Sequence, residues 1–304
     1  MKSFLCVLCG FAREQFLFFV AFVRFVVQKA RDSMAAMRAT LLFLLALWPS
    51  LLLALPTELP APGGVAILGL GQADERPQAT FNDEQVAVLP GENGWKALVG
   101  LPLSLEPGDH RIEVAWADGR RSWHRFTVQD REYGESRITI AEERLVSPGP
   151  EDMKRIEAER ARIREALRTW TNAAPDFNFV LPTEGRFTTG FGLRRYINDQ
   201  PRNPHNGLDI AAPTGTPIHA PSPGRVILTG DFFFAGKSVF LDHGHGVISF
   251  YAHMNDIHVQ DGQSVERGEQ IGEIGATGRV TGPHLHWTIY LNRTAVDPTL
   301  FFER

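Results

Sequence analysis

The stretch GPHLHWTIY, residues 282–290, decides how the C-terminal half is read. After the Gly-Pro turn, His284, His286, Thr288 and Tyr290 alternate with Leu285, Trp287 and Ile289. A period of two is that of a strand, and here the apolar side is the one to bury. At roughly 3.3 Å per residue the two imidazoles lie about 6.6 Å apart on one face, so both can point into a single cleft. The spacing leaves two arrangements open: both histidines hold a metal, or one holds it while the other works on a substrate.

Similar segments surround this one. From Phe177 onward, GRFTTGFG, TPIHAPSPGRVIL, KSVFLDHG, GVISFYAH and EQIGEIG read as short strands separated by glycine and proline turns. We expect an all-β domain over residues 175–304, a compact sheet or partial barrel. It is preceded by a second series of alternating segments: VAILGLG, EQVAVL, WKALVGLPL, RIEVAW and RFTVQ. Turn signals PGENG, EPGDH and ADGR separate them. Residues 59–145 therefore read as a small β-sandwich domain. Between the two, over 146–174, SPGPED opens a polar stretch with Met153, Ile156, Ile163, Leu167 and Trp170 at helical spacing, and Glu151 and Asp152 in its first turn. This is a linker helix that packs one stripe on a neighbour, with its interleaved charges facing solvent. The fold class is mainly β.

The first 55 residues differ in composition, with apolar runs at 4–11, 16–23 and 41–55. The last run is broken by Pro49 and follows Lys29, Arg31 and Arg38, which suits a secretory signal better than a spanning helix of about 20 apolar residues. Residues 1–58 are expected to be an export signal or, alternatively, a retained membrane anchor. Met34 and Met37 each stand where such a signal would begin, so 1–33 can be an over-long start. Cys6 and Cys9 belong to this apolar segment, and their C-x-x-C spacing is read as incidental. The exported remainder has no cysteine, so any metal site in it must use His, Asp or Glu. The chain carries 31 basic and 35 acidic residues for a formal charge of −4, without the basic excess of a nucleic-acid binder.

Eight of the ten histidines follow residue 200, more than an ordinary β-domain needs. HNGLD places His205 and Asp209 four apart in a loop entering a strand, a weak pair alone. With the H-x-H strand it completes two imidazoles and a carboxylate, the open three-ligand shell of a catalytic zinc. DHGHG (242–246) is a competing H-x-H, but its glycines mark a hairpin turn in which the backbone matters more than the side chains. His110, His124, His219 and His258 are read as structural or surface residues. Arg194, Arg195 and Arg202, in the segment FGLRRYINDQPRNP, are read as loop surface that could otherwise meet substrate carboxylates. Gly207, Gly215, Gly282 and Pro283 are expected to shape the backbone.

FTTGFGLRR, HNGLDIAAPTGTPI, GVISFYAHM and TGRVTGPHLHW, in this order over about 185–300, resemble the lysostaphin and LytM type of zinc metallopeptidase. The region before them also resembles, by pattern alone, the amino-terminal part of some exported members. The resemblance implies one Zn2+ per chain held by His205, Asp209 and His286, with His253 and His284 as the non-ligand catalytic pair. It implies hydrolysis of peptide cross-links in bacterial peptidoglycan through a zinc-activated water, with peptidoglycan stem peptides as partners and no nucleic acid. No H-E-x-x-H is present, so a histidine takes the proton-transfer role. The expected location is the bacterial cell envelope, in the periplasm, with membrane association through the N-terminus as an added expectation. The rival is a non-catalytic LytM-like domain that binds the wall and activates another hydrolase; such a domain is expected to lose ligands, whereas all five positions stand here.

Overall fold

The computed structural model describes residues 55–302. The apolar N-terminal runs, with Cys6, Cys9, Met34 and Met37, lie outside the described residues, among which no helix is long and apolar enough to cross a membrane.

Six strands, β1 (Val65–Gly71), β2 (Gln78–Phe81), β3 (Glu84–Gly91), β4 (Gly94–Gly100), β5 (Gly108–Ala115) and β6 (Arg121–Val128), form one antiparallel sheet in the order β1-β4-β3-β2-β5-β6. β3 turns the corner, because Glu84–Val86 pair with β2 while Ala87–Gly91 pair with β4. The sheet thereby closes over a single cluster that includes Ala66, Val86, Val88, Val99, Ile112, Val114 and Val128. The β2–β3 turn is Asn82–Asp83, both at positive φ (49° and 65°), the conformation that a two-residue hairpin of matching twist requires.

After β7 (Glu135–Ile138) and the short helix α1 (Glu143–Val146) comes α2 (Pro150–Ala166). Proline starts α2 and two acids occupy its first turn, but it stops four residues short of Trp170. Ile156 and Ala166 are buried, and Ile163 and Leu167 pack with Leu228, Phe232 and Phe240. Met153, expected in this stripe, is 37% exposed. Polar contacts do part of the docking: Glu159 accepts from the Phe233 amide at 2.8 Å, and Arg155 donates to the Asp231 carbonyl at 2.9 Å.

The C-terminal part opens with β8 (Arg186–Thr189), β9 (Arg194–Ile197) and β10 (Gln200–Arg202). Residues 194–202, expected to be loop, form a hairpin through Asn198–Asp199 (φ 49° and 60°), and β9 pairs in parallel with β7. Asn198 locks this arrangement by bonding both the amide and the carbonyl of Ile140, at 2.9 and 3.0 Å.

The remaining strands are β11 (Leu208–Ala211), β12 (Pro217–His219), β13 (Gly224–Phe232), β14 (Gly236–Asp242), β15 (Ile248–Ile257), β16 (Ser264–Val265), β17 (Gln270–Ile274), β18 (His284–Leu291) and β19 (Thr294–Val296). They join β8 in a ten-stranded sheet whose main path is β16-β13-β14-β15-β18-β11-β8. β18 lies between β15 and β11 and is buried on both faces after His284. Its Leu285, Trp287 and Ile289 enter a core that also contains Val65, Ala87, Leu89 and Leu98 from the first sheet. The opposite face is covered at Tyr290 by the cluster under α2, so it is open only toward its histidine end. Asn292, in the β18–β19 turn, ties the two sheets by bonding the Gly100 amide at 2.7 Å and carbonyl at 3.0 Å.

Candidate metal centre

Strand register assembles the centre. Asp209 on β11 stands opposite His286 on β18, and Ala252 on β15 flanks His286 from the other side. His205 arrives from the loop before β11, with its amide donating to the Leu193 carbonyl at 2.9 Å. Between them Gly207 runs against β18, where a Cβ would come within 2.7 Å of His286 Cε1. Only glycine allows this approach.

His205, Asp209 and His286 offer ligand atoms that all lie within 4.8 Å of one another, and among the described residues they are the only His, Cys, Asp and Glu group so placed. Asp209 Oδ1 is 2.9 Å from both His205 Nε2 and His286 Nδ1, and these two nitrogens are 3.0 Å apart. The three donor atoms, 2.9–3.0 Å apart, lie a few tenths of an ångström inside the edges of about 3.3–3.4 Å of a tetrahedral shell with bonds of about 2.0–2.1 Å. The outer contacts select the same atoms. His205 Nδ1–H donates to the Gly190 carbonyl at 2.8 Å, which leaves Nε2 bare in the neutral ring. His286 Nε2 bonds Thr288 Oγ1 at 3.0 Å, which leaves Nδ1 for the cluster. The chemistry and placement of these donors fit a divalent ion such as zinc.

Electrostatics agree with that use. Burial alone would raise the Asp209 carboxyl, but the contacts from His205 and His286 hold it well below the ordinary carboxylate range. Burial pulls His286 down to about 4, against the opposing pull of Asp209, and so keeps the ring neutral near pH 7.

His253 and His284 stand beside this group, ring centroids 4.8 Å apart. His253, in β15, has a positive φ of 63°, unusual for a side-chain-bearing residue, and its Nδ1–H donates to the Thr277 carbonyl at 2.9 Å. His284 Nδ1–H donates to the Gly282 carbonyl at 2.8 Å, so the residue in the Gly-Pro turn fixes the ring. Both rings therefore present a bare Nε2, and that of His284 lies 3.8 Å from Asp209 Oδ1. Burial, followed by His284 and His286, pushes His253 down to about 3.

The other histidines lie elsewhere. His243 is buried in the β14–β15 turn, with Nδ1–H donating to the Pro223 carbonyl and Nε2 meeting Ser249 Oγ, each at 2.7 Å. His245 stacks on Trp170 with centroids 5.8 Å apart and also meets Arg76. His258 lies near Asp256 and Glu273, and His219 is half-buried in β12. Arg195 corrects the loop-surface expectation: its Nη2 is 3.9 Å from Asp209 Oδ2 and its Nε is buried. Arg202 also points inward, donating to the Val146 carbonyl at 3.0 Å, whereas Arg194 pairs with Glu135. Arg279, which no motif reading singled out, is half-buried nearby, its place set by tertiary contacts that local sequence does not display.

Known proteins carry the same arrangement of sequence. Peptidase family M23 matches residues 203–298, and the Peptidase family M23 N-terminal domain matches residues 58–131. The peptidoglycan DD-endopeptidase ShyA of Vibrio cholerae is 44% identical over 120 residues, 39% of this chain and 28% of that protein. The DD-carboxypeptidase/endopeptidase Mpg of Neisseria meningitidis is 38% identical over 122 residues, 40% of this chain and 28% of that protein. The chain thus spans less than a third of the length of these curated relatives. A crystal structure of a candidate M23 peptidase from Pseudomonas aeruginosa aligns with a TM-score of 0.68 at 41% identity, covering 82% of this chain and 96% of that one. With both halves matched in chain order and nearly the whole of that structure covered, the chain belongs to peptidase family M23.

Proposed function

We propose that this protein is a zinc metalloendopeptidase that hydrolyses peptide cross-links of bacterial peptidoglycan. The observation that carries the reading is the convergence of His205, Asp209 and His286 with two further imidazoles, His253 and His284, whose Nε2 atoms are bare. The name of ShyA supplies the substrate class, and that of Mpg agrees in naming an endopeptidase.

His205, Asp209 and His286 would hold a zinc ion, which would supply Lewis acidity toward a carbonyl and a water. The protein's own groups do the rest. One of His253 and His284 accepts the water proton and returns it to the leaving amine, while the other hydrogen-bonds the developing oxyanion. Burial keeps His253 neutral at pH 7, so its Nε2 is available as an acceptor, and the low basicity of the ring makes its protonated form a ready donor. His284 is the more exposed of the two and faces the incoming peptide. The N-terminal apolar runs support export to the periplasm, where peptidoglycan lies; fractionation of cells producing the full chain tests this location.

Mass spectrometry of chemically defined cross-linked muropeptides incubated with the protein gives the bond cut. We expect wild type to bind one zinc and release peptides, and His205→Ala to lose both metal and activity. His284→Ala should keep the zinc and lose turnover. Equal release by wild type and His205→Ala would sink the proposal, and loss of metal from His284→Ala would overturn the division of the H-x-H pair.

A further inference from the structure

Arg195 and Arg202 stand opposite each other on the β9–β10 hairpin, with Arg195 beside the metal centre, and Arg279 approaches the pair from the loop before β18. Arg195 on β9 reaches Asp209, and its buried Nε has no hydrogen-bond partner. Arg279 lies in the loop before β18, which is pinned by its own amide donating to the Phe234 carbonyl at 2.8 Å and by the Thr277 carbonyl bound to His253. Its guanidinium lies 4.3 Å over the Phe234 ring and donates to the Leu145 carbonyl at 3.4 Å. Arg202 on β10 donates to the neighbouring Val146 carbonyl and to Gln200 Oε1.

What Arg202 and Arg279 lack is an anion. Among the described residues, Arg202 and Arg279 form no ion pair, while nearby acids are already engaged: Glu135 with Arg137 and Arg194, Asp199 with Arg137, and Asp152 with Arg144. Of the three, only Arg195 reaches Asp209, and that carboxylate belongs to the metal set. Burial, then Arg195 and Arg202, lowers the Arg279 pKa to about 10, so the guanidinium remains charged near pH 7. Like charges drawn partly out of water without a counter-ion are unfavourable, and the carbonyls of Leu145 and Val146 supply only neutral dipoles. The planar fork of a guanidinium matches a carboxylate.

We infer that Arg195, Arg202 and Arg279 form a carboxylate-recognition subsite next to the metal, which selects cross-link peptides bearing a free carboxylate close to the cleaved bond. The inference rests on the peptidase reading above, and Arg279 is its specificity-determining residue.

The test uses two cross-linked muropeptides that differ only in whether the carboxylates flanking the bond are free or amidated. Calorimetry with zinc-loaded His284→Ala protein measures binding without turnover. The free-acid form should bind about tenfold more tightly than the amide, the scale of one charge-assisted hydrogen bond. Adding Arg279→Gln should abolish most of that preference, and Arg279→Lys should restore part of it. Arg202→Gln provides an independent second variant if Arg279→Gln does not fold. Equal binding of the two forms, or equal weakening of both by Arg279→Gln, would overturn the subsite. Hydrolysis by wild type is followed alongside: failure to cut either form sinks the peptidase reading, while the binding preference judges the arginines separately.

Discussion

At the scale of single residues, the centre depends on groups that bond outward as much as on those that face the ion. Gly190, Thr277 and Gly282 lend carbonyls, and Thr288 a hydroxyl, each fixing which nitrogen of a histidine is free. Gly207 makes the approach of His205 to β18 possible, since a Cβ there would lie 2.5 Å from the Trp287 carbonyl oxygen and 2.7 Å from Thr288 Oγ1. Gly207→Ala should destabilise the protein by about 1–3 kcal/mol and weaken zinc binding about tenfold or more. Chemical denaturation and a zinc titration check both; an unchanged zinc affinity would show that the close approach is not needed. The candidate ligands could be read as a group from HNGLD and HLHW, while the choice of His286 over His284 came from the family resemblance and not from spacing. Arg195 and Arg279 could not, because the approach of one to Asp209 and the lack of any acid beside the other are settled by segments distant in sequence.

At the scale of elements, short apolar or alternating runs were a good guide to strands, whether one face is buried, as in β5, or both, as in β18 after His284. β1, β4, β5 and β18 are visible as VAILGLG, WKALVG, RIEVA and HLHWTIY. The β9–β10 hairpin escaped this reading because it is rich in arginine and carries no alternating apolar face; parallel pairing to β7, the Asn198 side chain and the single buried Ile197 hold it. Helical spacing found α2 but misplaced Met153, since polar anchors such as Glu159 help choose the face that docks. The β18–β19 turn has a comparable anchor in Asn292. Asn292→Ala would strand a buried amide and a buried carbonyl of Gly100, and it also places alanine at a φ of 38°. We expect a loss of about 2–4 kcal/mol, read from urea denaturation; a loss below about 1 kcal/mol would mean that Gly100 finds other partners.

At the scale of the whole molecule, buried neutral histidines set the response to acid. Burial lowers the pKa of His243, and lowers His253 to about 3 and His286 to about 4. Below about 6.5 the unfolded chain takes up protons that these folded sites refuse, so stability is full above that pH and declines as pH falls toward the folded values. By pH 5 His253 and His286 each account for up to about 2 kcal/mol of lost stability, and His243 adds in the same direction. The melting temperature of metal-free protein should therefore drop between pH 7 and pH 5, less steeply in His243→Gln; a flat profile would contradict the burial of these rings. The core containing Val65, Ala87, Leu89 and Leu98 together with Trp287 and Leu291 could not be foreseen from patterning, which says that a side chain is buried but not against which sheet. It carries a consequence for descent. Two sheets joined by one core share their tolerance of substitution: a change at Leu98 must be accommodated by Trp287, and neither half can be exchanged for a cousin's without refitting the seam.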